Sequence, residues 1–212
     1  MSWYQKADWL HYVGSNFGSI VGRCNCKKEY VYAMIPKNAS MSFRNCGMFG
    51  PRRRVLPSGP KNVICIFREP VDRFISIFHW ELRERLFHFG DLKAPTNFLF
   101  LEFLTAIERS FTPISAPQIE YLKHGNLDIE DIDVIMRVSH LQADFNKFKK
   151  RDNLAISLKK VNARAPDRMI EDFVGANPRV KQRICKLYKE DVELYGQAEE
   201  NLSSPKWRDE DV

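Results

Sequence analysis

Several features that would settle a protein's class early are scarce in this chain or absent from it. Its five cysteines (Cys24, Cys26, Cys46, Cys65 and Cys185) are odd in number and thinly spread. That excludes a disulfide-stapled scaffold and predicts reduced thiols, with Cys65 a small core residue inside an apolar run. Cys24 and Cys26 stand close together, but no second pair and no neighbouring histidine pair completes a four-ligand set, so structural zinc is not expected. No stretch reaches the roughly 18 apolar residues that cross a bilayer. Residues Met1 to Leu10 carry Lys6 and Asp8 among aromatics rather than an apolar run of about 7–15 residues, so they do not read as a secretory leader. The expectation is a soluble, cytoplasmic protein with no membrane span. Repeats and low-complexity tracts are missing too. The excess of 33 Lys and Arg over 27 Asp and Glu, +6 in all, leans toward an anionic ligand without naming one. The basic runs Arg52-Arg53-Arg54 and Lys147, Lys149, Lys150, Arg151 lack interleaved aromatics and match no recognition helix, zinc finger or RNA-binding sheet, so nucleic acid is not an expected partner.

What is present is globular. In 212 residues, 44% are hydrophobic and 28% charged, enough for one domain with a self-sufficient core. Two runs, Tyr30 to Ile35 and Val63 to Phe67, are β-branched or aromatic and apolar throughout, the pattern of strands buried on both faces of a parallel sheet. Each is followed by a helical pattern, Ser40 to Cys46 after the first and Pro70 to Phe87 after the second. Further helices are predicted at Phe98 to Glu108, Ala116 to Lys123, His140 to Lys150 and Pro178 to Tyr195. A third strand is predicted at Ile132 to Val138 and a short fourth at Leu154 to Leu158. The alternation of strand and helix predicts an α/β fold with a central parallel sheet flanked by helices. It occupies residues 1–196, with Gly196 closing the last helix and Gln197 to Val212 forming a polar, flexible tail.

Two strand ends carry chemistry. After the first strand comes Pro36-Lys37-Asn38-Ala39-Ser40-Met41-Ser42, with a lysine and two hydroxyls at a helix start. Free N–H groups of a first helical turn and the positive end of the helix dipole favour an anion there, and Lys37 adds a full charge. The segment is not a Walker A loop, which has glycines before its lysine and Ser or Thr directly after it. At the end of the second strand stands Arg68, with Ser76 eight residues on, about two helical turns past the bend. A guanidinium fork and a hydroxyl suit a second phosphate. Two anion sites on neighbouring strands imply a doubly phosphorylated nucleotide.

This pair of motifs resembles the sulfotransferases that use 3′-phosphoadenosine 5′-phosphosulfate (PAPS), particularly the carbohydrate and heparan sulfate branch. The resemblance covers roughly residues 30–196, with Val161-Asn162 and Tyr188 to Gly196 as downstream landmarks. It implies a P-loop-like three-layer sandwich and no metal. Pro36 to Ser42 would bind the 5′-phosphosulfate, with Lys37 neutralising the departing phosphate, and Arg68 with Ser76 would bind the 3′-phosphate. Arg164 would add a further contact. The acceptor would be a small molecule or carbohydrate bearing a hydroxyl.

The chain departs from the family where a general base is expected. Many relatives carry a histidine just before a Pro-Gln pair, and this chain has Thr112-Pro113-Ile114-Ser115-Ala116-Pro117-Gln118. The base is therefore open among His79, Glu81, His88 and Glu102. His140 reads as a helix-start residue, and Phe74 and Trp80 as core aromatics or adenine platforms. Two rivals remain: a small-molecule kinase, disfavoured by the missing glycines and Mg²⁺-binding carboxylate, and a nucleotide-binding module that has lost catalysis.

Overall fold

The computed structural model describes residues 18–23, 29–39, 42–43, 46, 49–53, 62–84, 94–112, 114–158 and 168–203. Five strands form one sheet: β1 (Gly18–Arg23), β2 (Glu29–Met34), β3 (Phe49–Arg53), β4 (Asn62–Phe67) and β5 (Val134–Arg137), in the order β3-β1-β2-β4-β5. The helices are α1 (Pro70–Glu84), α2 (Thr96–Arg109), α3 (Gln118–His124), α4 (Leu141–Arg151), α5 (Arg168–Ala176), α6 (Pro178–Leu187) and α7 (Lys189–Ser203). The fold is α/β, with β2, β4 and β5 parallel. The sheet is mixed, because β1 pairs antiparallel with both β2 and β3 at one edge.

The continuous apolar character of β2, β4 and β5 follows from burial on both faces. Alternate residues sort cleanly: Ala33, Val63, Cys65, Phe67 and Ile135 pack on one face against Tyr121, Leu122, Leu194 and Ala198 of α3 and α7. Tyr30, Tyr32, Ile64, Ile66, Val134 and Met136 pack on the other, against Phe145 and Phe148 of α4. A third core, aromatic at its centre and aliphatic around it, joins α1, α2, α5 and α6. There Phe74 and Phe78 meet Phe100 edge-on, with ring centroids 5.5 and 5.1 Å apart.

Three expectations are corrected. Leu154 to Leu158 forms no ladder; Leu154 is buried, and Ile156 and Leu158 pack against the α4-side core, so their alternation reflects packing on a face rather than pairing. The predicted Pro178–Tyr195 helix is two helices broken at Tyr188, which stands at φ −109°, ψ 38°. The break re-aims the chain: α6 sends Val180 and Ile184 into the aromatic core, whereas α7 sends Leu194 and Ala198 to the sheet. Tyr188 is fixed there by its hydroxyl, which donates to Ser115 O at 2.7 Å, and Val192, four residues on, is 40% exposed. Finally, Gly196 does not end the helix. α7 runs on to Ser203 with Ala198 fully buried, so the boundary at 196 cuts through a packed helix. The predicted helix over residues 40–46 lies mostly outside the described residues, with Ser42 and Phe43 helical.

Candidate functional site

The site is built at the carboxyl ends of β2 and β4, the edge of a parallel sheet where loops leave the strands. The β2–β4 ladder runs from Tyr30↔Asn62 to Ala33↔Cys65, after which the two chains part. From β2 the chain turns through Pro36, Lys37, Asn38 and Ala39. Lys37 and Ala39 both take left-handed backbone conformations (φ 67° and 56°) without being glycine, which costs about 1–2 kcal/mol each. Asn38 explains why the strain persists. Its side chain is fully buried, and Nδ2 donates to Ile66 O at 2.8 Å and to Gln118 Oε1 at 2.5 Å. Anchoring Asn38 inward holds its neighbours in the strained turn, and turns of this kind can present backbone N–H groups to an anion. Phe43 N–H then donates to Ala39 O at 3.1 Å as the following helix begins.

Lys37 is half-buried, with its ammonium 5.8 Å from the centre of the Trp80 ring. Burial, then the charges of Arg68, Arg83 and Arg73, push its pKa down to about 8. Arg68, the first residue after β4, turns its guanidinium back so that one terminal nitrogen donates to Lys37 O at 3.3 Å. Its Nε is buried with no hydrogen-bond partner among the described residues. Burial lowers the Arg68 pKa, opposed first by the charge of Asp72. The two sequence-predicted anion groups thus meet at one place.

Helix α1 presents Arg73, Ser76 and Trp80 three and four residues apart, on one face. Ser76 is half-buried. Arg73, 1% exposed, donates to Pro36 O at 3.4 Å and Ile114 O at 3.3 Å, tying the anion loop to the segment before α3. Directly after Trp80, Glu81 is 3% exposed and accepts from the Thr112 hydroxyl at 2.9 Å. Burial raises its pKa; the Thr112 hydrogen bond and the Lys37 charge pull the other way. His79 is half-buried beside Phe78, with Nε2 buried and without a partner among the described residues. Of the two base candidates on α1, Glu81 is held by the Thr112 hydroxyl and lies in the field of the Lys37 charge.

Other assignments fall elsewhere. Phe74 is fully buried among Phe100, Phe103 and Tyr188, so it is core and not a platform for adenine. Glu102 sits on α2, and His140 is the exposed residue at the N-cap of α4, making no side-chain cap. Ser40, Met41, His88 and Arg164 lie outside the described residues, as do Cys24, Cys26, Val161 and Asn162. Among the described residues no group of three or more His, Cys, Asp or Glu could hold a metal, and no helix is long and apolar enough to cross a membrane.

Sequence reasoning missed the buried polar scaffold beneath the site. Gln118 opens α3, fully buried, and its side-chain amide accepts from Arg68 N at 3.1 Å and donates to Arg68 O at 2.9 Å. Pro117 before it offers no side-chain cap, and Asp191 of α7 supplies one instead, accepting from Gln118 N at 2.7 Å and Ile119 N at 2.9 Å. The available signal was a polar residue straight after Pro117, where a proline marks a helix start. Nothing local announces that Asp191, 73 residues on, completes it. The third parallel strand also ends in an arginine, Arg137, but Asp144 already engages its backbone N–H at 2.9 Å and its guanidinium twice at 3.2 Å.

The arrangement can bind a ligand with more than one anionic group through Lys37 and Arg68, and it holds a buried carboxylate, Glu81, within reach of the Lys37 field. No family model, curated protein or solved structure matches this chain.

Proposed function

We propose that the chain is a PAPS-dependent sulfotransferase with a P-loop-like three-layer sandwich, acting on a hydroxyl of a small-molecule or carbohydrate acceptor. The observation that carries the reading is the hydrogen bond from the Arg68 guanidinium to Lys37 O at 3.3 Å. It ties together the two cationic strand ends that the sequence assigned to different phosphates of one nucleotide. The buried Arg68 Nε, without a partner among the described residues, is a donor that a 3′-phosphate would satisfy. The parallel β2-β4-β5 core, with helices on both faces, supports the fold.

In this reading the donor supplies the sulfuryl group: its S–O bond to the 5′-phosphate breaks as a new S–O bond to the acceptor oxygen forms. Lys37 neutralises charge where the phosphate departs, an electrostatic contribution that grows toward the transition state. Arg68, with Ser76, holds the 3′-phosphate. Glu81, its basicity raised by burial, takes the acceptor's proton.

Calorimetry tests the nucleotide. Adenosine 3′,5′-bisphosphate is expected to bind at about micromolar strength and ATP with Mg²⁺ at least about tenfold more weakly; the reverse order would favour a kinase. Incubating the protein and PAPS with a panel of sugars, phenols and lipids tests the transfer. Tight bisphosphate binding with no sulfated product from any acceptor would leave a binding module.

A further inference from the structure

We infer that Gln118 is a positioning residue that fixes the spacing between the two anion-binding strand ends, so that the site favours a ligand with two separated anionic groups over one with a single group. The inference rests on the nucleotide reading above and deepens it.

Past Ala33↔Cys65 the β2–β4 ladder stops, and something other than sheet pairing must hold the ends in register. Gln118 takes that role through a planar amide used on three sides. Towards β4 it bonds both the N–H and the C=O of Arg68, at 3.1 and 2.9 Å, as a neighbouring strand would. This fixes the peptide planes on either side of the Arg68 Cα and hence the direction in which the guanidinium leaves the chain. Towards β2 the same Oε1 accepts from Asn38 Nδ2 at 2.5 Å, inside the strained turn that carries Lys37. The amide itself is immobilised, because Gln118 is fully buried and its own N–H is held by Asp191 at 2.7 Å. One rigid group therefore sits between the turn bearing one cation and the strand end bearing the other. A single anion needs only one of these ends; two linked anions need the distance between them to be correct, and small displacements of binding groups are costly when both must engage at once.

The test compares adenosine 3′,5′-bisphosphate with adenosine 5′-monophosphate by calorimetry on the full chain, in wild type, Gln118→Met and Gln118→Glu, with circular dichroism to check folding. Methionine keeps volume and removes every side-chain hydrogen bond while leaving the backbone N–H on Asp191; it is expected to weaken the bisphosphate about 30-fold and the monophosphate by less than about twofold. Glutamate keeps the acceptor bonds but opposes Arg68 O until it is protonated, and burial raises a carboxyl's pKa, so its bisphosphate affinity relative to wild type should recover as the pH falls from about 7.5 to about 5.5. A residue that only supports the fold would show no such selective, pH-dependent recovery, and the glutamate variant decides the matter if the methionine variant does not fold. Equal loss for both nucleotides, or loss for neither, overturns the role of Gln118 while a wild type that binds the bisphosphate keeps the nucleotide reading. A wild type that binds the monophosphate as tightly as the bisphosphate, or binds neither, overturns both.

Discussion

Replacing Lys37 by methionine is expected to stabilise the protein while weakening anion binding. The ammonium is partly desolvated and faces the charges of Arg68, Arg83 and Arg73, and its pKa falls from 10.5 to about 8. Undiminished, that fall corresponds to roughly 3.4 kcal/mol, at about 1.36 kcal/mol for each pH unit. The side chain keeps part of its solvent contact, and screening reduces the figure to roughly 1–2 kcal/mol. The strained backbone at φ 67° is common to lysine and methionine and cancels. The sign follows from proton linkage. Below pH 8 both folded and unfolded chains carry the proton, and the folded state bears the full cost of the buried charge. Between about 8 and 10.5 the folded state sheds the proton first, so wild-type stability rises relative to the variant. In urea denaturation the variant should exceed wild type by roughly 1–2 kcal/mol at pH 7, and the gap should close toward pH 10. In a thermal melt at pH 7 this is a gain of about 2–8 °C for a chain of this size. Calorimetry on the same variant should show bisphosphate affinity reduced at least about tenfold. A variant no more stable than wild type at pH 7, or a gap that does not change with pH, would refute the idea that Lys37 is a charge held at a cost for function.

Asp191→Ala strands the N–H groups of Gln118 and Ile119 and removes a negative charge whose field reaches the buried Arg73; urea denaturation should show a loss of roughly 3–5 kcal/mol. Phe100→Ala opens a hole between Phe74, Phe78 and Phe173 and should cost a similar roughly 3–5 kcal/mol by the same measurement, with bisphosphate affinity retained at temperatures where the variant is folded. Glu81→Gln preserves an acceptor for the Thr112 hydroxyl. Single-turnover transfer from PAPS should fall about 100-fold while bisphosphate affinity changes less than about twofold; an unchanged rate would remove Glu81 as the base.

The amino-acid sequence by itself determined the elements whose residues answer to one local rule. Tyr30 to Ile35 and Val63 to Phe67 are apolar at every position, and a segment that must bury both faces has no other secondary structure so short, so β2 and β4 were legible along with the loops that leave them. The chemistry of those loops was legible for the same reason, since a lysine and an arginine directly after buried strands have few places to go. Tertiary structure alone decided what depends on partners far along the chain. The break at Tyr188 is invisible to helical periodicity, because Ile184 and Leu194 serve different cores. Leu154 to Leu158 alternates like a strand yet forms no ladder with the described residues. Gln118, Asp191 and Arg73 are ordinary polar residues in sequence; each becomes part of the site's scaffold because burial removes water as a partner and leaves Arg68, Asn38, Pro36, Ile114 and the first turn of α3 to satisfy them.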